Sequence, residues 1–302
     1  MDLKKEILKL KKEKNALILA HFYQSDEIQE IADIVGDSYF LSKKALESNA
    51  DLIVFCGVKF MAESSKILSP NKKILIPNND ATCPMADIGL LNKLNELKLK
   101  NPNAKVVTYI NSNIDIKANS DVCVTSSSAK DILDNISEKD TIFIPDRNLG
   151  SYLQEKCPNK NFILYQGFCP THERIDVDEV LELKSKYPKF EVLSHPECRK
   201  KVRAQSYFIG STSEIINYSV TSNSDGFIVL TEEGVLYQMK LNSPNKIFIS
   251  PENKIICPNM KMITLQDLYN CILKEEFEIN LNEYTRLKAL KSLKNMHILS
   301  NK

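Results

Sequence analysis

Residues 50–78 read ADLIVFCGVKFMAESSKILSPNKKILIPN, and this stretch decides the fold. The run LIVFC is apolar without alternation, which suits a parallel strand covered on both faces. A segment of helical period follows. A second apolar run, ILI, then closes on Pro77. Residues 120–148, SDVCVTSSSAKDILDNISEKDTIFIPDRN, resemble it, and so do residues 224–253, SDGFIVLTEEGVLYQMKLNSPNKIFISPEN. Each has an Asp before a strand, then a helix, then a strand closed by proline. Recurrence at a fixed period marks repeated supersecondary units.

Another strand lies upstream of each copy, in LILAHFY, VVTYINS and EVLSHPE. Aligned, these put His21, Tyr109 and His195 at equivalent positions, 88 and 86 residues apart, with Tyr23, Asn111 and Glu197 two residues later in each. Tyr23 to Asp51 is 28 residues and Glu197 to Asp225 is 28, but Asn111 to Asp121 is 10, so this alignment implies that the middle copy has lost a helix-bearing piece. Ten apolar runs alternate with amphipathic segments such as SDEIQEIADIV, the pattern of an α/β protein. The expected architecture is three homologous three-layer α/β/α units with parallel sheets, related by a pseudo-threefold axis. The units span residues 1–84, 85–170 and 171–257, with 258–302 packing back on the first.

The bulk numbers narrow the function. Lys plus Arg is 40 and Asp plus Glu is 39, a balance without the electrostatic footprint of a nucleic-acid or membrane-surface binder. No apolar run approaches the roughly 18 residues of a spanning helix. The N-terminus, MDLKKEILKLKKEKN, is a charged helical pattern without a signal peptide's apolar core. A soluble, cytoplasmic protein is expected. The eight glycines form neither G-x-G-x-x-G nor a P-loop, so those nucleotide signatures are absent.

Eight cysteines in a reducing compartment point away from disulfides. Three of them, Cys83, Cys169 and Cys257, each precede a proline and follow the period of the units, with gaps of 86 and 88. Around a pseudo-threefold axis they converge. Three converging thiolates suit tetrahedral zinc with an open position. They equally suit a [4Fe–4S] cluster with one iron lacking a protein ligand, which would act as a Lewis acid. Three buried structural thiols are the plainest alternative. Cys56, Cys123 and Cys271 fit that role as small hydrophobes, and Cys157 reads as a helix-end residue.

Ligands of parallel α/β units bind beyond the carboxyl ends of the strands. His21, Tyr109 and His195 fall there, with Tyr23, Asn111 and Glu197 beside them. Ser38, Ser126 and Thr212 add one hydroxyl per unit where a helix begins, and helix N-termini favour phosphate or carboxylate. The expected substrate carries several negative groups.

HFYQSDEIQEIADIVGDS, IVFCGVKFMAESSKIL, YINS, GFCPTHERI, HPEC and GSTSEII, in order over residues 15–260, resemble the quinolinate synthase family, iron–sulfur enzymes of de novo NAD (pyridine nucleotide) biosynthesis. The resemblance implies a transferase that condenses iminoaspartate with dihydroxyacetone phosphate, with loss of phosphate and water, to give quinolinate. It implies that Cys83, Cys169 and Cys257 hold a [4Fe–4S] cluster. His21, Ser38, Tyr109, Ile110, Asn111, Ser126, His172, His195, Pro196, Glu197 and Thr212 would bind substrate. Glu197 would be the general base, Tyr23 a proton relay or triose phosphate contact, and His195 a further catalytic group; Arg174 is read as structural. A transient contact with the aspartate-oxidising enzyme that supplies iminoaspartate is also implied. Thr82 and Ser128 depart from the family pattern, which has glycine and asparagine there, and no C-terminal cysteine pair is present to form a regulatory disulfide. The competing readings are a zinc-dependent lyase or hydrolase on a small anionic substrate and a non-enzymatic iron–sulfur sensor.

Overall fold

A computed structural model describes residues 2–87 and 89–300. The ends of the expected units at Met1, Asn301 and Lys302, and Ile88 within the second, lie outside the described residues. Among the described residues twelve strands form three four-stranded sheets, with every strand pairing inside them parallel. The first sheet holds β1 (Ala16–His21), β2 (Ile34–Gly36), β3 (Leu52–Cys56) and β4 (Lys73–Leu75), in the order β2-β1-β3-β4. The second holds β5 (Lys105–Tyr109), β6 (Val122–Val124), β7 (Asp140–Ile144) and β8 (Asn161–Leu164), in the order β6-β5-β7-β8. The third holds β9 (Glu191–Ser194), β10 (Phe208–Ile209), β11 (Gly226–Leu230) and β12 (Ile247–Ile249), in the order β10-β9-β11-β12. The central strands β3 and β11 are buried along their whole length, which is why they read as unbroken apolar runs. The edge strands β2 and β10, three and two residues long, were not among the ten expected; runs so short carry no period.

This topology corrects the alignment of the middle copy. By sheet position, the counterpart of β3 and β11 is β7, which begins at Asp140. Asn111 to Asp140 is 29 residues, against 28 in the other two units, so nothing has been lost. Asp121 instead matches Asp33: Ile18 N donates to Asp33 and Val106 N to Asp121, both at 2.8 Å. Cys157 also finds its place. It is the C-cap of the helix Arg147–Lys156, as Ser69 and Ser243 are C-caps of the helices Lys59–Leu68 and Val235–Asn242.

The segment SDEIQEIADIVGDS is not one helix. A helix covers Asp26–Ile31, β2 intervenes, and Ser38 opens the next helix, Ser38–Glu47. The C-terminal segment divides as well. The helix Leu265–Lys274 buries Leu268, Cys271 and Ile272 in the core around β1 and β3. The helix Glu283–Ser300 instead places Ala289, Leu293 and Met296 in the core around β5, β6 and β7. Its Ser292 donates to Lys117 O at 2.8 Å, and its Arg286 reaches back to Ile67 O at 3.0 Å. That helix therefore bridges the first two sheets.

Candidate active site

One hydrogen bond recurs at the carboxyl end of the third strand of each unit. Lys59 N donates to Ala81 O at 2.8 Å, Arg147 N to Gly167 O at 2.7 Å, and Glu233 N to Ile255 O at 2.9 Å. Each acceptor lies two residues before Cys83, Cys169 or Cys257, so each cysteine loop is tied to a strand end. Two loops have a second tie. Asp146 accepts from Cys169 N at 2.9 Å and Leu149 N at 2.8 Å, while Glu232 accepts from Cys257 N at 3.1 Å and Gly234 N at 2.7 Å. Lys261 pairs with Glu232 at 3.1 Å and also donates to Tyr23 O at 2.7 Å. Val58 holds the corresponding place in the first unit, and its side chain offers no acceptor.

All three cysteines line one cavity of about 190 Å³. They are the three that are partly exposed; Cys56, Cys123, Cys157, Cys198 and Cys271 are buried. Burial first, and then the charge of Glu197, pushes the Cys169 thiol well up, with a further push from Cys83 nearby. Burial likewise raises Cys257. Thiolates are disfavoured here unless a cation sits among them, and a coordinating metal deprotonates a thiol outright. The donor set therefore fits a thiolate-binding metal group. Among the described residues, the one trio of potential ligand atoms lying within 4.8 Å of one another is Cys169, His172 and Glu197.

The same cavity is lined by His21, Tyr23, Ser38, Tyr109, Ile110 and Asn111, and by Ser126, His172, His195, Glu197 and Thr212. Of the residues expected to bind substrate or metal or to act in catalysis, Pro196 is the one not on its wall; the Pro196 carbonyl instead accepts from Arg203 at 3.5 Å. Ser38 and Thr212 are the first residues of their helices, and the capping is done by Asp37 and Ser211 one residue earlier. Neither hydroxyl is spent on its own helix end; Thr212 Oγ1 instead meets Tyr23 OH across the cavity wall. Ser126 differs: it lies in the turn before the helix Ala129–Asp134, whose N-cap is Ser128. Phe60, Met61, Met85 and Met260 supply an apolar wall that the sequence reading missed; nothing in their local pattern distinguishes them from core.

The two matched histidines share a local geometry. Tyr23 N donates to His21 Nδ1 at 3.1 Å, and Glu197 N donates to His195 Nδ1 at 3.2 Å. A ring that accepts at Nδ1 carries its proton on Nε2 when neutral. Burial, partly opposed by Glu197, lowers His21 to about 3 and His195 to about 4, so both are neutral donors at pH 7. Burial pushes Tyr23 and Tyr109 well up, so both are phenols.

Glu197 is the ionised group at the centre. Burial alone would raise it, but His195, His172 and a hydrogen bond from Tyr109 hold it at about 2. His172 Nδ1 lies 2.9 Å from Glu197 Oε2, and Asn111 Nδ2 donates to Oε1 at 3.5 Å. The His172 ring stacks on His195 with centroids 4.9 Å apart. On the far side, His172 Nε2 lies 2.9 Å from Thr231 Oγ1. Tyr23 OH lies 2.9 Å from both Thr231 Oγ1 and Thr212 Oγ1. A buried carboxylate ringed by phenol, imidazole and amide groups can take a proton from a bound molecule and return it. Neutral imidazole donors and helix starts can hold carboxylate or phosphate.

A family profile described as Quinolinate synthetase A protein matches residues 5–298. The chain is 58% identical over 299 residues to a protein of Clostridium perfringens (strain ATCC 13124) named quinolinate synthase, covering 99% of both chains. It is 54% identical to the protein of that name from Clostridium acetobutylicum, covering 99% of this chain and 98% of the relative. The protein so named from Caldicellulosiruptor saccharolyticus is 48% identical over 298 residues, again with 99% and 98% coverage.

Proposed function

The chain belongs to the quinolinate synthase family, and from that premise we propose that its cavity condenses iminoaspartate with dihydroxyacetone phosphate, releasing phosphate and water as the ring of quinolinate closes. The observation that carries this reading is that, of the eight cysteines, the three at the repeat spacing are the three that line this cavity.

Cys83, Cys169 and Cys257 would hold a [4Fe–4S] cluster. Bound there, it supplies a Lewis-acidic iron that polarises a substrate oxygen without redox change. The spacing of the thiols favours a cluster over one zinc ion. Zinc–sulfur bonds of about 2.3 Å in a tetrahedron put ligand sulfurs about 3.8 Å apart, whereas these three thiols do not form a group within 4.8 Å among the described residues. The compact trio of Cys169, His172 and Glu197 is accounted for by hydrogen bonding through His172 Nδ1, which lies 3.3 Å from Cys169 Sγ and 2.9 Å from Glu197.

The remaining roles belong to the same proposal, and the geometry of the cavity supports them. His21 and His195 present Nε2–H donors to substrate carboxylate or carbonyl oxygens. Ser38, Ser126 and Thr212 hold the negative groups, aided by Tyr109 and Asn111. Glu197 removes the proton beside a carbonyl that must go before water can leave, and Tyr23 handles a proton at the opposite wall. The apolar wall excludes water from the condensation. The unit boundaries given above, the pseudo-threefold axis through the cavity and a contact with the enzyme that supplies iminoaspartate belong to the same proposal. Among the described residues no helix is long and apolar enough to cross a membrane.

The test is anaerobic reconstitution, with iron and sulfide analysis and assay of quinolinate from the two substrates. Close to four irons and four sulfides per chain, with product formed, is the expected result. A colourless protein that binds zinc and makes no quinolinate would overturn the reading.

A further inference from the structure

Three buried side chains occupy one position in the repeat. Gln29 lies eight residues after His21, Lys117 eight after Tyr109 and Arg203 eight after His195. Each sits on the short helix that follows its unit's first strand: Asp26–Ile31, Ile114–Ala118 and Lys200–Arg203. Their exposures are 3%, 0% and 3%, although Lys and Arg are almost never fully buried unless held by a partner. None of the three lines the cavity.

Their partners are equivalent as well. Gln29 Nε2 donates to Gln24 O at 3.0 Å, Lys117 Nζ to Ser112 O, and Arg203 Nη1 to Cys198 O at 2.6 Å. These carbonyls lie three residues after His21, Tyr109 and His195, so each donor grips the turn just past Tyr23, Asn111 or Glu197. Gln29 and Arg203 also hold the turn just before those residues, at Phe22 O (2.9 Å) and Pro196 O (3.5 Å). Each side chain then reaches across to another unit. Gln29 Nε2 donates to Gly234 O at 2.9 Å, Arg203 Nη1 donates to Asn148 O at 3.1 Å, and Lys117 Nζ stands 5.5 Å from the centre of the Phe60 ring. Phe60, Asn148 and Gly234 are again equivalent. Each follows the residue whose N–H ties down a cysteine loop: Lys59, Arg147 or Glu233. The contacts run from first unit to third, second to first and third to second, and so close a ring. At one of them the approach is so near that a Cβ on Gly234 would lie 2.8 Å from Phe22 O and 2.9 Å from Gln24 O.

We propose that Gln29, Lys117 and Arg203 are three equivalent positioning residues, each holding the turn that carries a cavity residue in register with the cysteine-loop support of another unit. Packing alone does not account for them, because an apolar side chain would fill such an interface without the cost of taking a guanidinium out of water. What an N–H donor adds is direction: it fixes the carbonyls of two units relative to one another. Amide, amine and guanidinium all occur at this position, so the donor and its reach matter more than the type. Arg203 shows the consequence most plainly. Its own turn carries Glu197. Its partner Asn148 belongs to the helix capped by Asp146, and Asp146 accepts the Cys169 N–H. One guanidinium thus sets the general base against the Cys169 loop. The inference rests on the roles given above to Glu197 and Tyr23.

The test compares Arg203→Met, which keeps the stem and removes the donors, with Arg203→Lys and Arg203→Gln, which install the side chains that serve this position in the other two units. Each is reconstituted anaerobically and assayed beside the wild type for kcat, KM and iron per chain. Arg203→Met should lose about 100-fold in kcat, the effect of misplacing a reacting group by about an ångström, with KM changed less than about threefold. Arg203→Lys and Arg203→Gln should stay within about tenfold of wild type in kcat. Iron per chain should be the same in all four. If Arg203→Met does not fold, Gln29→Met takes its place with Gln29→Lys beside it, since it frees the Tyr23 turn without removing a charge, and the same split is expected. Wild-type kcat in the Met variant, conservative variants as slow as the Met variant, or a fall in kcat matched by an equal loss of iron would overturn the inference. Those results beside an active wild type strike this inference alone. A wild type that binds iron but makes no quinolinate would remove the functional reading, and the inference with it.

Discussion

The backbone N–H of Glu197 donates to Nδ1 of His195 at 3.2 Å, which fixes that imidazole as an Nε2–H donor aimed away from its own loop. His21 is held the same way by Tyr23 N. Neither ring then has a use for a second proton, and burial, partly offset by Glu197, lowers them to about 4 and about 3. The consequence is acid lability of the fold. Below about pH 6.5 the unfolded chain takes up protons that native His21 and His195 do not. Their contribution is complete above that pH and is lost as pH falls towards their native values. The slope is about 1.4 kcal/mol per pH unit for each group once well below pH 6.5. The urea midpoint measured anaerobically should be lower at pH 5.5 than at pH 7.5. His195→Gln should weaken that dependence, and a midpoint that does not move with pH would count against the buried neutral state.

Cys83→Ala, Cys169→Ala and Cys257→Ala should each abolish iron binding, since every one removes a third of the thiols at the cavity. Replacing Cys56, Cys123, Cys157, Cys198 or Cys271 should leave iron content unchanged, because these thiols are buried in their own surroundings. Cys198, for example, donates to Leu230 O at 3.3 Å. Iron per chain, read after anaerobic reconstitution, decides the assignment. Loss of iron in Cys157→Ala with retention in Cys169→Ala would reverse it.

Glu197→Gln keeps the size of the group and removes its charge. Iron content should be retained while kcat falls by about 10²–10⁴-fold, the range for a lost general base. Unchanged turnover would assign proton abstraction to another group.

The repeat and the site were legible in the sequence to different degrees, for physical reasons. Strands buried on both faces, such as β3 and β11, announce themselves as unbroken apolar runs, and His21, Tyr109 and His195 could be placed by counting from them. The middle unit was matched one strand out of step, because Asp121 and Asp140 both precede apolar runs and only the sheet order separates them. β2, three residues long, was not read as a strand, although the helix start at Ser38 just after it was. Thr231 and the two carboxylates behind the cysteines left no local motif. A corrected alignment exposes them, setting Thr231 against Gly57 and Pro145, and Val58 against Asp146 and Glu232. The helix Glu283–Ser300 was grouped with the first unit, whereas its Ala289, Leu293 and Met296 lie in the core of the second sheet, because a helical pattern says that a face is buried but not against which sheet.

That second comparison makes the cysteine loops unequal. Asp146 and Glu232 each accept the amide of a cysteine, Cys169 and Cys257, together with a second backbone amide. Both carboxyls are buried and pushed upward, burial being the largest cause in each. A side chain kept there against that cost is holding a loop whose position matters. Asp146→Ala would leave two buried amides without their acceptor, at about 1–3 kcal/mol each. Glu232→Ala would do the same and leave Lys261 without its buried partner. The variants should fold and take up iron, but release it to a chelator about tenfold faster or more than wild type, because a looser loop lets the thiolate depart. Release is followed by the colour of the iron–chelator complex under anaerobic conditions. Equal release rates in wild type and Asp146→Ala would show that the strand-end hydrogen bond from Arg147 N to Gly167 O holds the Cys169 loop by itself.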